Sequence, residues 1–353
     1  MWWPSSWNRR YTRWLCLGVG LLCVQAVRMR PAWGEWYARE LYPYVARVLR
    51  AFSSLFPFSV GDLFIYGSLL GLVAYLFYTL YRRRGGWRMI RQMVEYVAWV
   101  YLWFYVAWGL NYFRQDFFIR SATPRVSYSA ERFESFLVRY TEALNAAYLP
   151  ELTMEEEAVR EAVVTGYHTL PAEWGVMRPS VQSRAKRMGC SRLMSAVGVM
   201  GYMGPFFCEF HLSSQLLPVQ IPATYAHELA HTLSVTNEAE ANLCSYWVCT
   251  HSDQPAVRFS GYFSLLPYVL SNARAALSPA DFKVWIDRLR PEVKQLYNEK
   301  VSYWQALYNP WIGEAQHALY NLFLKGNRIA SGTANYAEVI SLLIAWEDRM
   351  VNT

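Results

Sequence analysis

Three long apolar runs dominate the first third of the chain, at residues 14–27, 63–81 and 96–110. A bilayer core of ~30 Å requires about 20 helical residues, which the second run supplies alone and the third supplies with its flanking residues. The first run is short, but no convincing cleavage site of small residues follows it, so we expect a retained helix rather than a signal peptide. The pattern therefore predicts about three transmembrane helices, at residues 14–28, 61–81 and 94–113.

Arginines flank these runs and predict how the helices are oriented. Five of them lie between the second and third runs: Arg82, Arg83, Arg84, Arg88 and Arg91. Positively charged loops stay in the cytoplasm, so everything after the third run is predicted to lie outside. The segment 29–58 combines arginine with aromatic residues, which indicates a helix on the membrane surface.

From residue 114 onward the pattern is that of a mainly helical globular domain. The predicted helices are 129–148, 154–170, 223–234, 238–250, 258–275, 279–308, 313–325 and 334–350. The stretch 206–212, FFCEFHL, alternates and predicts a strand. We therefore expect a mainly α protein. Its membrane region, 1–113, precedes an extracytoplasmic zincin-like α+β domain at 114–353 with a small sheet.

The composition is that of a membrane protein rather than of an ordinary soluble domain. The chain is 54% hydrophobic and 17% charged, whereas a soluble domain is nearer a quarter charged. The basic excess, 34 Lys and Arg against 27 Asp and Glu, is mostly arginine, much of it beside the apolar runs. Membrane orientation accounts for that excess, so we expect a lipid bilayer as a partner and no nucleic acid. Among the cysteines outside the membrane region, one disulfide can form, such as Cys190 with Cys208.

A His-Glu-x-x-His motif stands at His227, Glu228 and His231. On a helix this spacing places both imidazoles on one face, one turn apart, where they can bind one tetrahedral Zn²⁺. Glu228 then lies beside them as a candidate general base for a metal-activated water. The alternative is a structural or degenerate pair of histidines, because three fixed positions also occur by chance.

Two glutamates compete as the third metal ligand. Glu238 and Glu240 are two residues apart on the next predicted helix, so only one of them can face the metal. HELAH followed by EAEAN resembles the gluzincin type of zinc metallopeptidase, whose Glu-x-x-Ala-Asn pattern implies Glu238 as the ligand. The departure is the short turn SVTN, which lacks glycine; Glu240 therefore stays open as the alternative.

A wider resemblance covers most of the chain. The stretches are FPFSVGDLFIY (56–66), WGLNYFRQDF (108–117), GYMGPFF (201–207), PATYAHELAH (222–231) and GNRIASGTANYAEVISLL (326–343). Together they resemble an uncharacterised bacterial family, of a type common in Bacteroidota, with N-terminal transmembrane helices and a zincin-like domain. The resemblance implies no substrate.

Three further residues are candidates for the site. Glu209 and His211 lie in the predicted strand, and in zincins an edge strand near this position holds the substrate backbone by β-pairing. We expect them to line the cleft; the alternative is ordinary strand residues. Tyr336 is a candidate donor to the oxyanion of a tetrahedral intermediate, with a packed surface tyrosine as the alternative. The remaining histidines, His168, His251 and His317, have no ligand spacing and are expected to be structural.

The sequence therefore predicts a multi-pass protein of the bacterial cytoplasmic membrane whose outer domain is a zinc-dependent metallopeptidase. Its substrates are expected to be envelope or membrane-associated proteins. The alternative is a zincin-like scaffold or sensor without proteolytic activity, against which the presence of Glu228 argues. An intramembrane protease is disfavoured, because residues 215–250 contain no 20-residue apolar span.

Overall fold

The computed structural model of the protein describes residues 6–83, 85–125, 129–180, 183–329 and 338–351, with backbone only for residues 6–10. The chain forms two compact units. The first comprises Met1–Gln115 with Gly204–Glu209, and the second comprises Asp116–Met203 with Phe210–Thr353.

Between Ser6 and Phe113 the first unit is built of helices. Its elements are α1 (Ser6–Met29), α2 (Pro31–Trp36), a π-helix (Tyr37–Leu41), α3 (Tyr42–Ser53), α4 (Val60–Tyr81), α5 (Gly86–Ala107) and a 3₁₀-helix (Gly109–Phe113). Ser59 caps α4, since its Oγ accepts a hydrogen bond from the backbone N–H of Asp62 at 2.9 Å.

Two described helices are long and apolar enough to cross a membrane: Tyr11–Met29 within α1, and Val60–Tyr81, which is α4. The third predicted span, 94–113, does not form one helix, because α5 ends at Ala107 and a buried 3₁₀-helix follows. The N-terminal half of α5 also carries charged side chains such as Arg88, Arg91 and Glu95. Its longest uninterrupted apolar stretch therefore lies in its second half.

The second unit contains the remaining helices. Its helices are α6 (Phe117–Arg120), α7 (Ala130–Ala147), α8 (Glu156–His168), α9 (Ser191–Ser195), α10 (Ile221–Thr232), α11 (Glu238–Thr250), α12 (Pro255–Ala276), α13 (Pro279–Asp287), α14 (Pro291–Leu307), α15 (Pro310–Gly326) and α16 (Val339–Val351). The predicted helix 279–308 is wrong as a single element. Pro291 lacks the N–H that a continuous helix needs, and the chain breaks before it into α13 and α14.

The core of the second unit is built around α10 and α11, whose residues are buried almost all round. Helix α11 packs against α8, α10, α12 and α16. A helix without a polar face must lie inside a domain, so the motif of α10 is fixed by packing on several sides.

The described residues also form a small sheet, with strands β1 (Lys186–Arg187), β2 (Gly201–Gly204) and β3 (Glu209–Leu212) in the order β1-β3-β2. Strand β1 pairs in parallel with β3, with Lys186 opposite His211. The fold is thus mainly α with a small sheet, as expected. The possible disulfide between Cys190 and Cys208 is not formed, and none of the six cysteines is cross-linked.

Candidate metal centre

Helix α10 carries His227, Glu228 and His231 on a rigidly held backbone. The Oγ of Ser260 accepts the Ala223 N–H at 3.1 Å, which satisfies a donor of the first helical turn. The Oγ of Ser245 donates to the Ala223 carbonyl at 2.7 Å. These buried bonds tie the start of α10 to α12 and α11, so the motif cannot shift along the core.

The turn after α10 brings its own carbonyl to His231. Ser234 adopts φ +76° in the left-handed region, which reverses the chain without the glycine that usually occupies such a position. The Val235 carbonyl then lies 2.7 Å from His231 Nδ1. The short turn that the sequence made doubtful is therefore formed, and it contributes to the site.

The start of α11 separates the two competing glutamates. Asn237 caps the helix, its Oδ1 accepting the Glu240 N–H at 3.0 Å. Glu238, in the first turn, points to the two histidines. Glu240 points elsewhere and forms a buried ion pair with Arg120, whose side chain is 2% exposed. The residue facing the histidines is Glu238, and Glu240 is engaged away from them.

Three ligand-type atoms converge at this point. Glu238 Oε2 lies 3.1 Å from His227 Nε2 and 3.3 Å from His231 Nε2. The two Nε2 atoms are 3.2 Å apart. A tetrahedral zinc with bonds of about 2.05 Å holds its ligand atoms about 3.3 Å apart. The three separations therefore match the edges of a zinc coordination tetrahedron.

Neighbouring groups fix the tautomers of both histidines. The Val235 carbonyl can only accept, so the proton of neutral His231 lies on Nδ1 and its Nε2 presents a lone pair. His227 Nδ1 lies 2.9 Å from Asn242 Oδ1, which sets the same tautomer. Asn242 in turn hydrogen-bonds the hydroxyl of Tyr268. Such outer contacts orient metal-binding imidazoles in proteins.

Glu238 is held from its other side by α15. The hydroxyl of Tyr320 donates to Glu238 Oε1 at 2.6 Å, which leaves Oε2 toward the histidines. Tyr320 therefore orients the carboxylate in the way that Asn242 orients His227.

The electrostatics of the cluster favour a positive charge at its centre. Burial disfavours a charged His231, but the Glu238 carboxylate outweighs burial and raises the pKa of His231 to about 9. Burial likewise opposes ionisation of Glu238, but His231 and His227 outweigh it and hold the pKa of that carboxyl well below its ordinary value. Two lone-pair nitrogens and a carboxylate oxygen at these distances repel one another unless a proton or a cation lies between them. The residues therefore fit a bound divalent metal.

Glu228 lies beside the candidate ligands and against strand β2. Burial raises the pKa of its carboxyl, although His227 and His231 act in the opposite direction. A Cβ added at Gly201 would lie 2.6 Å from Glu228 Cγ and 2.7 Å from its Oε1. Only glycine lets the β2 backbone approach the carboxyl this closely, so Gly201 sets the space available to Glu228.

The other predicted site residues lie elsewhere or outside the described part of the chain. Glu209 caps α4 in the first unit, accepting the N–H of Gly61 at 2.8 Å. His211 is fully buried and stacks on Tyr202, with ring centroids 4.4 Å apart. Both belong to β3, which is the central strand of the sheet, so the expected edge position is wrong for them. Tyr336 lies outside the described residues.

Sequence reasoning missed four contributors to the site: the Val235 carbonyl, Asn242, Tyr320 and Gly201. Asn242 carried a signal, because it closes the Glu-x-x-Ala-Asn pattern four residues after Glu238. Gly201 begins the stretch GYMGPFF, which contributed to the family resemblance but implied no role in the site. Nothing in the local pattern indicated Tyr320, which is 82 residues from its partner.

Comparison with known proteins identifies a family but no activity. Residues 37–344 match a family described as "Protein of unknown function (DUF3810)". No curated protein and no solved structure matches the chain. Any statement about activity must therefore come from the site itself.

Proposed function

The chain belongs to the DUF3810 family, and from its own geometry we propose that it is a membrane-anchored zinc-dependent metallopeptidase of the gluzincin type. The observation that supports this most directly is the triangle of His227 Nε2, His231 Nε2 and Glu238 Oε2, with sides of 3.1–3.3 Å. Two imidazoles and one carboxylate form a ligand set typical of catalytic zinc, which leaves a fourth position for water or substrate.

Zinc, when bound, would supply Lewis-acid polarisation of a substrate carbonyl and a more acidic water. The residues of the chain would do the rest. Glu228 would accept a proton from the attacking water at its carboxylate as the new C–O bond forms. It would return that proton to the amine nitrogen as the C–N bond breaks. Its burial and its raised pKa suit a group that must hold a proton between the two steps.

The number of ligand residues and the position of Glu228 support an enzyme more than a structural site. A structural zinc site is closed by four protein ligands, whereas the described residues form a cluster of three, His227, His231 and Glu238. Glu228 adds a carboxyl next to that cluster without belonging to it. A scaffold or sensor has no chemical need for such a group, and that alternative predicts that replacing Glu228 changes nothing that can be measured.

The apolar helices support a location in the cytoplasmic membrane. Helix α4 and the Tyr11–Met29 part of α1 are long and apolar enough to span it. Arginines at 82–84, 88 and 91 follow α4, and positively charged loops remain in the cytoplasm. Helix α5, with 22 residues, begins among these arginines. We propose that it crosses back through the membrane, so that the second unit faces the periplasmic or extracytoplasmic side. Its substrates would then be envelope or membrane-associated proteins.

Metal content tests the site without any knowledge of the substrate. The full chain is purified in detergent, and bound metals are measured by mass spectrometry for wild type, His227→Ala, Glu238→Ala and Glu240→Gln. We expect about one zinc per chain, lost in the first two variants and kept in the folded fraction of the third. Glu240 is the matched control, since it is a buried glutamate two residues away on the same helix. A folded wild-type protein that binds no zinc even when zinc is supplied would refute the proposal.

Activity is tested with Glu228→Gln, which keeps the shape of the side chain and removes its basicity. Peptide libraries and membrane extracts are incubated with wild type and variant, and new peptide termini are identified by mass spectrometry. We expect cleavage that requires zinc and falls by at least 10²-fold in Glu228→Gln, while the zinc content stays at the wild-type level. Equal cleavage by both proteins would refute the assigned role of Glu228.

A further inference from the structure

Helix α15 has its apolar face turned outward. Trp311 is 90% exposed, Leu319 and Leu322 are each 69% exposed, and Ile312 is 46% exposed. At 3.6 residues per turn these four side chains share an arc of about 100° of the helix surface. A helix on the surface of a globular domain normally turns this stripe to the core.

The opposite side of α15 contacts the domain. Gly313 and Leu324 are the buried residues of the helix, and a Cβ at Gly313 would lie 2.3 Å from the hydroxyl oxygen of Tyr308. Tyr320 also belongs to this side and donates to Glu238 at 2.6 Å. The helix is therefore attached to the domain through Gly313, Tyr320 and Leu324, and most of its large apolar side chains are left on the outside.

We propose that the outer face of α15, formed by Trp311, Ile312, Leu319 and Leu322, docks into the surface of the lipid bilayer. This inference rests on the proposed membrane location and is independent of the proposed peptidase activity. The helix would lie in the plane of the interface, with its leucines among the acyl chains and Trp311 at the headgroup level, where tryptophan is enriched.

The chain itself supplies a reason for a bilayer as the occupant. Helix α4 and the Tyr11–Met29 segment are long and apolar enough to span one. The chain passes between the two units three times, at residues 115–116, 203–204 and 209–210. These covalent connections keep the second unit within reach of any membrane that holds the first.

A second copy of the chain fits this face less well. The four exposed side chains offer on the order of 500 Å², whereas each partner in a stable protein interface contributes about 800 Å². Docking into a bilayer requires no minimum contact area, because the transfer of each apolar side chain out of water contributes its own favourable free energy. The face also contains no charged side chain that would specify a protein partner.

Docking of α15 would affect the metal centre, because Tyr320 on this helix contacts Glu238. The hydroxyl of Tyr320 positions Glu238, and the same helix carries the membrane-facing residues. Tyr320 is thus a positioning residue, and the bilayer would stabilise the arrangement in which it holds the carboxylate.

Site-specific photocrosslinking tests the docking. The full chain is reconstituted in liposomes of phosphatidylethanolamine and phosphatidylglycerol, with p-benzoylphenylalanine in place of Leu319 or of Leu322. Matched positions on the polar side of α15 are Glu314 and His317, both exposed. The positive control is Leu70 in α4, which is 71% exposed. Mass spectrometry identifies the adduct, and circular dichroism confirms that each variant folds.

We expect lipid adducts at Leu70, Leu319 and Leu322, at least tenfold above those at Glu314 and His317. A lipid adduct at Leu70 without one at Leu319 or Leu322 would overturn the docking and leave the membrane location intact. Adducts with a second copy at Leu319, or equal labelling on both sides of the helix, would also overturn it. The absence of lipid at Leu70 as well would overturn the membrane location and this inference together.

Discussion

The substitution Asn242→Ala tests whether the surroundings of the ligands tune the metal site. It removes the acceptor 2.9 Å from His227 Nδ1 and leaves all three ligands in place. Without that acceptor the imidazole can rotate, and its proton can move to Nε2, where it blocks the lone pair. Loss of such a contact typically weakens metal binding 10- to 100-fold. This corresponds to about 1.4–2.8 kcal/mol of binding free energy.

The assay is competition for zinc between the purified protein and a fluorescent chelator. Asn242→Asp should keep near-wild-type affinity, because a carboxylate also accepts the Nδ1 proton. Asn145→Ala is the matched control: its Nδ2 donates to the Arg288 carbonyl at 2.8 Å, and it belongs to α7 rather than to the cluster. A zinc dissociation constant for Asn242→Ala within twofold of wild type, in a protein that melts cooperatively, would refute the reasoning.

Three other substitutions test, one at a time, the space around Glu228, the turn at Ser234 and the ion pair of Glu240. Gly201→Ala places a methyl carbon 2.6 Å from Glu228 Cγ, which displaces the carboxyl by about 1 Å; peptidase activity should fall about 10²-fold with zinc content unchanged. Ser234→Val puts a β-branched residue at φ +76° and should lower the unfolding free energy by roughly 2 kcal/mol, more than Ser234→Gly does, in denaturant titrations. Glu240→Ala removes the carboxylate of the buried ion pair with Arg120 and should cost about 3–5 kcal/mol of stability, measured in the same way, while its folded fraction still binds zinc.

The tight turn at Ser234, after α10, also has a function in the site. A glycine-free reversal costs backbone energy at Ser234, and the same reversal brings the Val235 carbonyl to His231 Nδ1. The conformational cost is thus offset by a hydrogen bond that sets the tautomer of neutral His231, a candidate metal ligand. This is why we expect zinc affinity as well as stability to fall in Ser234→Val.

Local pattern was sufficient for much of the fold. Helical spacing predicted α7, α8, α10, α11, α12 and α15 within a few residues of their observed ends. It failed where one residue type overrides the pattern, as at Pro291, and where an apolar run continues past the end of a helix, as at Ala107. Both failures concern the length of an element and not its type, because apolar periodicity says little about where a helix stops.

For the site, the sequence by itself determined the His-Glu-x-x-His motif, because i and i+4 positions share one helix face whatever surrounds them. The choice between the two glutamates needed the tertiary structure. Arg120 engages Glu240 from 120 residues away in the chain, and Tyr320 holds Glu238 from 82 residues away. Contacts between such distant positions leave no mark on local spacing, so a single sequence names the ligand types and only the folded chain selects which carboxylate meets the histidines.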